Sequence, residues 1–339
     1  MQHVVKCDVL IVGAGLSGLM AAQALRGHGL RLVLVDKGAS VGGRMATRRI
    51  GPGQADHGAQ FFTVRTPEFQ TLVDDWLADD WVYPWSTGFS SGSLAADPPD
   101  GHPRYAARGG MNALTKRLAQ KIQPDADIRL KTRLTSLTPT LSTWQAMDAD
   151  CCLYVSKALV VTPPVPQSLA LLGLALDKLP ASDREALQAI TYAPCVAGLF
   201  WVNGEVDLPE PGALQRPDAP VSWIADNRRK GISPEATIIT VHAGPDYSRA
   251  LWEQPEAQAL AALQAELAAR LKPGAAVVEA QLKRWRYALP TRTYAARYLM
   301  PAGVPPLAFA GDAFGGPRVE GAVLSGIEAG NAVVARLAV

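Results

Sequence analysis

The chain has few of the residues that build disulfide frameworks or metal centres, with 4 cysteines and 5 histidines among 339 residues. The cysteines stand at Cys7, Cys151, Cys152 and Cys195, and none has the C-x-x-C spacing of a redox or zinc motif. This usage fits a reducing cytoplasm, and the scattered histidines argue against a dedicated zinc or iron site. An excess of one charge is also missing, because 33 Lys+Arg against 31 Asp+Glu leave a formal net charge of +2. With no run of like charges, nucleic acid and a membrane surface are not expected partners, and the chain is not expected to be disordered. Apolar runs such as 9–12 and 169–176 fall far short of the ~20 residues that cross a bilayer. Asp8 interrupts the first apolar stretch and glycines break it from Gly13 on, so no signal peptide is read there. What the chain does have is apolar content, 48% hydrophobic, enough for one large domain or two ordinary ones.

Parallel-sheet signals lie at the two ends of the chain. Residues 7–12 form a continuous apolar run suited to a strand buried on both faces. A glycine turn, a helix to about Arg26 and a second strand over 31–35 follow. Near the C-terminus an apolar run over 307–310 leads through Gly311 and Asp312 into a final helix from Val319 to Leu337. Between the ends, β-rich runs at 196–202, 221–225 and 237–243, separated by Pro, Gly, Asn and Asp, predict an antiparallel sheet. Thr66-Pro67 predicts a capped helix to about Ala78. Ser182 and Glu185 have capping-box spacing, 128–137 and 153–161 read as strands, and Pro98-Pro99 marks a loop or short-strand region. Leu260, Leu263, Leu267 and Leu271 stripe a helix starting near Pro255. The expectation is an α/β protein in which a discontinuous Rossmann-like dinucleotide domain (1–65, 104–165, 290–339) carries an inserted α+β substrate domain (66–103, 166–289) built on an antiparallel sheet.

Gly13, Gly15 and Gly18 match G-x-G-x-x-G, a weak signal alone. Here it follows a strand, opens a helix and precedes a second strand ending in Asp36, which makes it specific. Gly13 serves the tight turn, Gly15 lets a pyrophosphate approach the backbone, and Gly18 lets the helix pack on the strand. Helix N-terminal amides then hold the phosphates, and Asp36 accepts ribose hydroxyls. Ser17 has two readings, a phosphate contact or simply a residue of the first helical turn.

Two further motifs, Gly42-Gly43-Arg44 and Ala310-Gly311-Asp312, resemble those that flank one flavin in FAD-dependent oxidoreductases of the amine-oxidase superfamily. The resemblance implies a p-hydroxybenzoate hydroxylase/monoamine oxidase-like fold, with Arg44 near the pyrophosphate and Asp312 accepting from ribityl hydroxyls. The helix starting Val319, Glu320, Gly321, Ala322, Val323 would point its positive end at the flavin. The cofactor contacts expected are thus Gly13, Ala14, Gly15, Ser17, Gly18, Asp36, Lys37, Arg44, Gln60, Phe61, Asp312, Val319, Glu320 and Val323. No cysteine follows Cys195, so a C-terminal thioether to flavin is excluded and FAD is expected to be noncovalent.

Within that superfamily the chain resembles the renalase-like enzymes. The matching segments come in order: 42–47 and 55–63 with Gln60 and Phe61, then 225–229, 241–243 and 283–286. The resemblance implies oxidation of 2- and 6-dihydro isomers of NAD(P)H by hydride transfer to flavin, with O2 or another acceptor reoxidising it. His242, Gln60 and Arg286 are the expected catalytic residues, with Arg286 meeting a substrate phosphate. His242 as an ordinary sheet residue stays open, as do Trp285 and Tyr287 as core rather than pocket wall, and His57 as structural. The segment after Trp285 lacks the D-P-Y/F-x-x-G-like motif that accompanies the amine cage of amine oxidases. A flavin-dependent amine oxidase or dehydrogenase, and a non-catalytic or sensory FAD-binding protein, are the alternatives.

Overall fold

The N-terminal apolar run forms the strand Val4–Val12, whose Val9, Leu10 and Ile11 have no solvent exposure. Its sheet runs in the order Ala126–Arg129, Leu32–Val35, Val4–Val12, Leu153–Val161, Trp144–Asp148, Leu134–Pro139. The first four strands are mutually parallel, and Leu307–Phe309 adds in parallel to the carboxyl-terminal half of Leu153–Val161. The computed structural model describes residues 3–91 and 101–338, so the expectation at Pro98-Pro99 lies outside the described residues.

Contacts divide the chain into two units. The first comprises 1–43, 115–191 and 290–339, and the second 44–114 and 192–289. The sequence groups 44–65 and 104–114 with the dinucleotide domain and 166–191 with the substrate domain, so the two partitions differ in these segments. In the second unit the sheet runs Ala213–Gln215, Val221–Asp226, Thr237–Ala243, Thr191–Asn203, Ala276–Arg292. The helix Glu256–Ala268 buries Ala259, Leu263 and Leu267 against this sheet's core. A short hairpin, Thr47–Ile50 with Gly53–Asp56, also belongs to the second unit.

In the first unit two helices cover the parallel strands, and their mutual approach is decided by glycine. A Cβ on Gly326 would lie 2.2 Å from the carbonyl oxygen of Ser17, and one on Gly330 would lie 2.7 Å from that of Ala21. The last helix, Val319–Leu337, therefore rests its backbone on that of Leu16–Leu25. This fixes where its N-terminus comes to lie within the unit.

Several local expectations hold. Thr66 caps Pro67–Ala78 by accepting from the Phe69 N–H, and the last helix starts at Val319. Others are corrected. The helix near Ser182 starts at Ala181 with Pro180 as its cap residue, so Ser182 sits inside the first turn and makes no cap. The stretch 128–137 is two strands, because Lys131 turns at φ 55° and the N–H groups of Lys131 and Thr132 donate to the carbonyls of Gly38 and Asp36. The strand Trp144–Asp148 carried no clear alternation and was not foreseen. Among the described residues no helix is long and apolar enough to cross a membrane.

Candidate active site

In the first unit the glycine loop stands at the carboxyl end of Val4–Val12, where open α/β sheets bind dinucleotides. Gly13 turns at φ 101°, and a Cβ there would lie 2.5 Å from Thr162 Oγ1. A Cβ on Gly18 would lie 1.9 Å from the Gly13 carbonyl oxygen. These two glycines serve the protein's own packing. Gly15 is different: its φ is −73° and nothing stands within 4 Å of an added Cβ. Among the described residues no neighbour requires a glycine there, so the open space in front of it fits the phosphates of a dinucleotide. Ser17 Oγ, buried in the first helical turn, has no hydrogen-bond partner among the described residues. This too fits a phosphate acceptor.

Asp36 follows the strand Leu32–Val35. Its Oδ2 accepts from the Ala14 N–H at 2.7 Å and its Oδ1 from the Gly38 N–H at 2.6 Å. The carboxylate thus ties down the glycine loop, a role the sequence reading did not foresee, and its remaining lone pairs can still accept from ribose hydroxyls. The neighbouring Lys37 is exposed and its Nζ lies 3.4 Å from Gln167 Oε1. Asp312 follows the short strand Leu307–Phe309, and the preceding Gly311 donates to Ser325 Oγ at 2.8 Å. Val319, Glu320 and Val323 are buried in the first turns of the last helix. Arg318, just before it, is held at φ 142°, ψ 176°, a conformation that costs a non-glycine residue roughly 1–3 kcal/mol.

In the second unit Gly58, Gln60, Phe61, Gln215, Pro217, Ser222, Trp223 and His242 line a cavity of about 250 Å³. Gln60 and Phe61 arrive from the segment after the hairpin. His242 arrives from Thr237–Ala243 and pairs across the sheet with Trp223. The Gln60 Nε2 group donates to the carbonyls of Asp56 at 2.7 Å and Gly58 at 3.1 Å, leaving Oε1 buried without a partner among the described residues. The nitrogens His242 Nε2 and Trp223 Nε1 are buried and likewise unpartnered. Phe61 packs on Phe89 and Trp223 with ring centroids 5.1 and 5.5 Å apart. The residues that line the cavity therefore combine aromatic faces with a few buried polar atoms that have no partner among the described residues.

Burial pushes the His242 imidazole down to about 3, and the charges of Lys230 and of His57 when it is protonated add to this. Burial likewise pushes His57 down to about 4, with Lys283 and Arg48 contributing. Both rings are neutral at neutral pH. His57 stacks on Trp285 at 5.3 Å and its carbonyl accepts from Trp285 Nε1 at 2.8 Å, so this pair is packing and not cavity wall. Arg44 donates to the carbonyls of Tyr287 and Ala288 at 3.2 and 3.3 Å. Arg286 is exposed, 5.3 Å from the Trp252 ring centroid, and is not among the residues lining the cavity. Alternation along Ala276–Arg292 puts it on the opposite face from Trp285.

The feature that sequence reasoning missed is a fully buried ion pair. Lys230 Nζ donates to Asp56 Oδ2 at 2.7 Å, and both side chains have no solvent exposure. Asp56 lies in the segment 55–63 and Lys230 just beyond the run 225–229, but a lysine gives no sequence signal of burial.

Residues 85–334 match a family model described as flavin containing amine oxidoreductase, and residues 11–76 match one for an NAD(P)-binding Rossmann-like domain. Renalase of Mus musculus is 29% identical over 206 residues, 58% of this chain and 58% of that protein. The chain thus spans less than two thirds of that relative's length. Flavin-containing amine oxidase B of Cavia porcellus is 50% identical over 44 residues, 13% of this chain and 8% of that one. Among solved structures, putrescine oxidase bound to putrescine aligns with a TM-score of 0.71 at 17% identity, covering 98% of this chain and 100% of that one. Cyclohexylamine oxidase from Brevibacterium oxydans IH-35A aligns with a TM-score of 0.68 at 17% identity, covering 99% and 100%. At such identities these structures establish the fold. FAD is the cofactor expected for such a chain, and the open approach to Gly15 and the unpartnered Ser17 hydroxyl fit it.

Proposed function

Because the chain belongs to the flavin-containing amine oxidoreductase family, we propose that it is an FAD-dependent oxidase converting 2- and 6-dihydro isomers of NAD(P)H to NAD(P)+. Bound FAD supplies a two-electron acceptor whose electrons pass on to O2, giving H2O2, or to another acceptor. Gly13, Gly15, Gly18, Ser17 and Asp36 hold the dinucleotide's phosphates and ribose, with Arg44 and Asp312 as further FAD contacts. The resemblance to renalase-like enzymes supports the substrate class.

The observation that carries the reading is the polarity of the cavity. Gln60 has spent both amide protons on backbone carbonyls, so its Oε1 is an acceptor and nothing else. His242 is neutral, and its Nε2 offers a lone pair or an N–H according to tautomer. A primary carboxamide has both donors and an acceptor, so it satisfies either tautomer, and Phe61 and Trp223 provide flat apolar surface for a ring. An ammonium ion has donors alone. Among the described residues no carboxylate side chain lines the cavity to compensate such a cation. Hydride transfer asks the protein mainly for alignment, because placing donor and acceptor carbons is worth orders of magnitude in rate and few proton transfers are required.

Anaerobic mixing in a stopped-flow spectrometer tests this. The 2- and 6-dihydro isomers should bleach the flavin within seconds, whereas NADH and simple amines should act far more slowly. His242→Ala should slow the bleaching while leaving the bound-flavin spectrum nearly intact. Rapid bleaching by a primary amine, with none by either isomer, overturns the proposal in favour of an amine oxidase.

A further inference from the structure

We propose that Lys230 is a positioning residue, holding Asp56 and the backbone of residue 60 so that the Gln60 carboxamide can only present Oε1 to the cavity. The proposal rests on reading Gln60 as a residue of the substrate site.

The geometry is a closed relay within the second unit. The Lys230 ammonium donates to Asp56 Oδ2 at 2.7 Å and to the carbonyl of Gln60 itself at 2.5 Å. The same ammonium stands 4.9 Å from the ring centroid of Trp85, and the Tyr83 hydroxyl donates to the Lys230 carbonyl. Asp56 is gripped from every side. Its Oδ1 accepts from Thr47 Oγ1 at 2.5 Å and from the Met111 N–H at 2.8 Å, and its N–H donates to Asn227 Oδ1 at 3.2 Å. Its carbonyl accepts from Thr240 Oγ1 at 2.9 Å and from Gln60 Nε2 at 2.7 Å.

A glutamine amide can be turned over at little cost unless both ends are told apart by their partners. Here the two Nε2 protons go to the carbonyls of Asp56 and Gly58, so a flipped amide would set its oxygen against two carbonyl oxygens. Lys230 fixes both reference points of that choice, the Asp56 residue and the Gln60 main chain. A buried ion pair serving stability alone is often replaced by apolar side chains with little loss. This one also donates to the main chain of the residue it positions, which an apolar side chain cannot do. Burial pushes the Lys230 ammonium's pKa down, and the Asp56 carboxylate beside it opposes this.

The test uses FAD-loaded protein. Lys230→Met alone leaves Asp56 buried and uncompensated, so the pair Asp56→Asn/Lys230→Met, which removes both charges, is made beside it. The first readout is the Gln60 side-chain amide in 15N NMR, assigned by its loss in Gln60→Leu. In the parent it should give one slowly exchanging pair of resonances, and in the neutral pair it should shift and broaden. The second is reduction by whichever substrate bleaches the flavin. The neutral pair should lose about 100-fold in the reduction rate, on the scale of a misplacement of about 1 Å, while keeping full FAD occupancy. Adding Gln60→Leu to the neutral pair should then lose no more than Gln60→Leu alone. Unmoved Gln60 resonances, or losses that multiply, overturn the proposal. So does loss of FAD or of the folded state in both variants, since the pair would then serve the fold. If Gln60→Leu leaves reduction unchanged, the reading of Gln60 as a substrate contact fails, while the NMR readout still decides the positioning.

Discussion

His57 and His242 make the stability of the second unit steeply dependent on pH. An unfolded histidine titrates near 6.5, but burial holds these two at about 4 and about 3. Between those values the unfolded chain binds protons that the folded chain refuses, so stability rises with pH. The benefit of neutrality is complete above 6.5 and is lost as pH falls from there towards 4 and 3. At pH 5 each histidine forfeits at most about 2 kcal/mol relative to pH 8, and the two together at most about 4 kcal/mol. The His57 figure stands near its full value, since only 6% of the residue is exposed. That for His242 is the more reduced by solvent, because one side of its ring lines the cavity. Carboxylates also titrate in this range, so the informative quantity is a difference. Urea unfolding at pH 5 and pH 8, at fixed free FAD, should show a larger loss at pH 5 for the parent than for His57→Gln/His242→Gln. The excess slope near pH 5 should approach two protons, or about 2.7 kcal/mol per pH unit. Parallel pH dependences in the two proteins would refute the argument.

The two glycines of the dinucleotide loop should separate packing from ligand binding. Gly18→Ala forces a Cβ to within 1.9 Å of a backbone oxygen, so it should cost both fold stability and FAD. Gly15→Ala meets no protein atom within 4 Å, so it should leave apoprotein stability within about 0.5 kcal/mol yet weaken FAD, measured by flavin fluorescence on titration. Equal FAD affinity in Gly15→Ala would remove the phosphate from that space. Asp36→Ala strips acceptors from the Ala14 and Gly38 amides as well as from a ribose, at about 1–3 kcal/mol. Arg44→Ala should weaken FAD at least as much, and full occupancy of both variants after extensive dialysis would misplace the cofactor.

The dinucleotide half of the molecule was legible because its signals are local. A buried parallel strand, a glycine turn and a following helix are consecutive in the chain, and each is forced by sterics that act within a few residues. Thr66-Pro67 and the start of the last helix at Val319 belong to the same class. The capping-box spacing at Ser182 failed because the chain entered its helix two residues earlier, with Pro180 as the cap residue and Ala181 as the first helical one. Nothing in the side chains alone distinguishes those two entries.

By itself, the sequence determined the parallel strand core and the glycine loop with Asp36 beyond it, while Gln60, Phe61 and His242 entered only through the resemblance to renalase-like enzymes. Only the tertiary structure decided what each of them faces. Asp56 and Lys230 are 174 residues apart in the chain, and no periodicity or motif couples positions at that distance. Their burial is a property of the packed second unit, as is the spending of both Gln60 amide protons on backbone carbonyls. Arg286 was drawn towards the site by its neighbours in the chain, but strand alternation turned it out to Trp252. Chain-local geometry is written in consecutive residues, whereas desolvation and hydrogen-bond partnership depend on which distant segments the fold brings together.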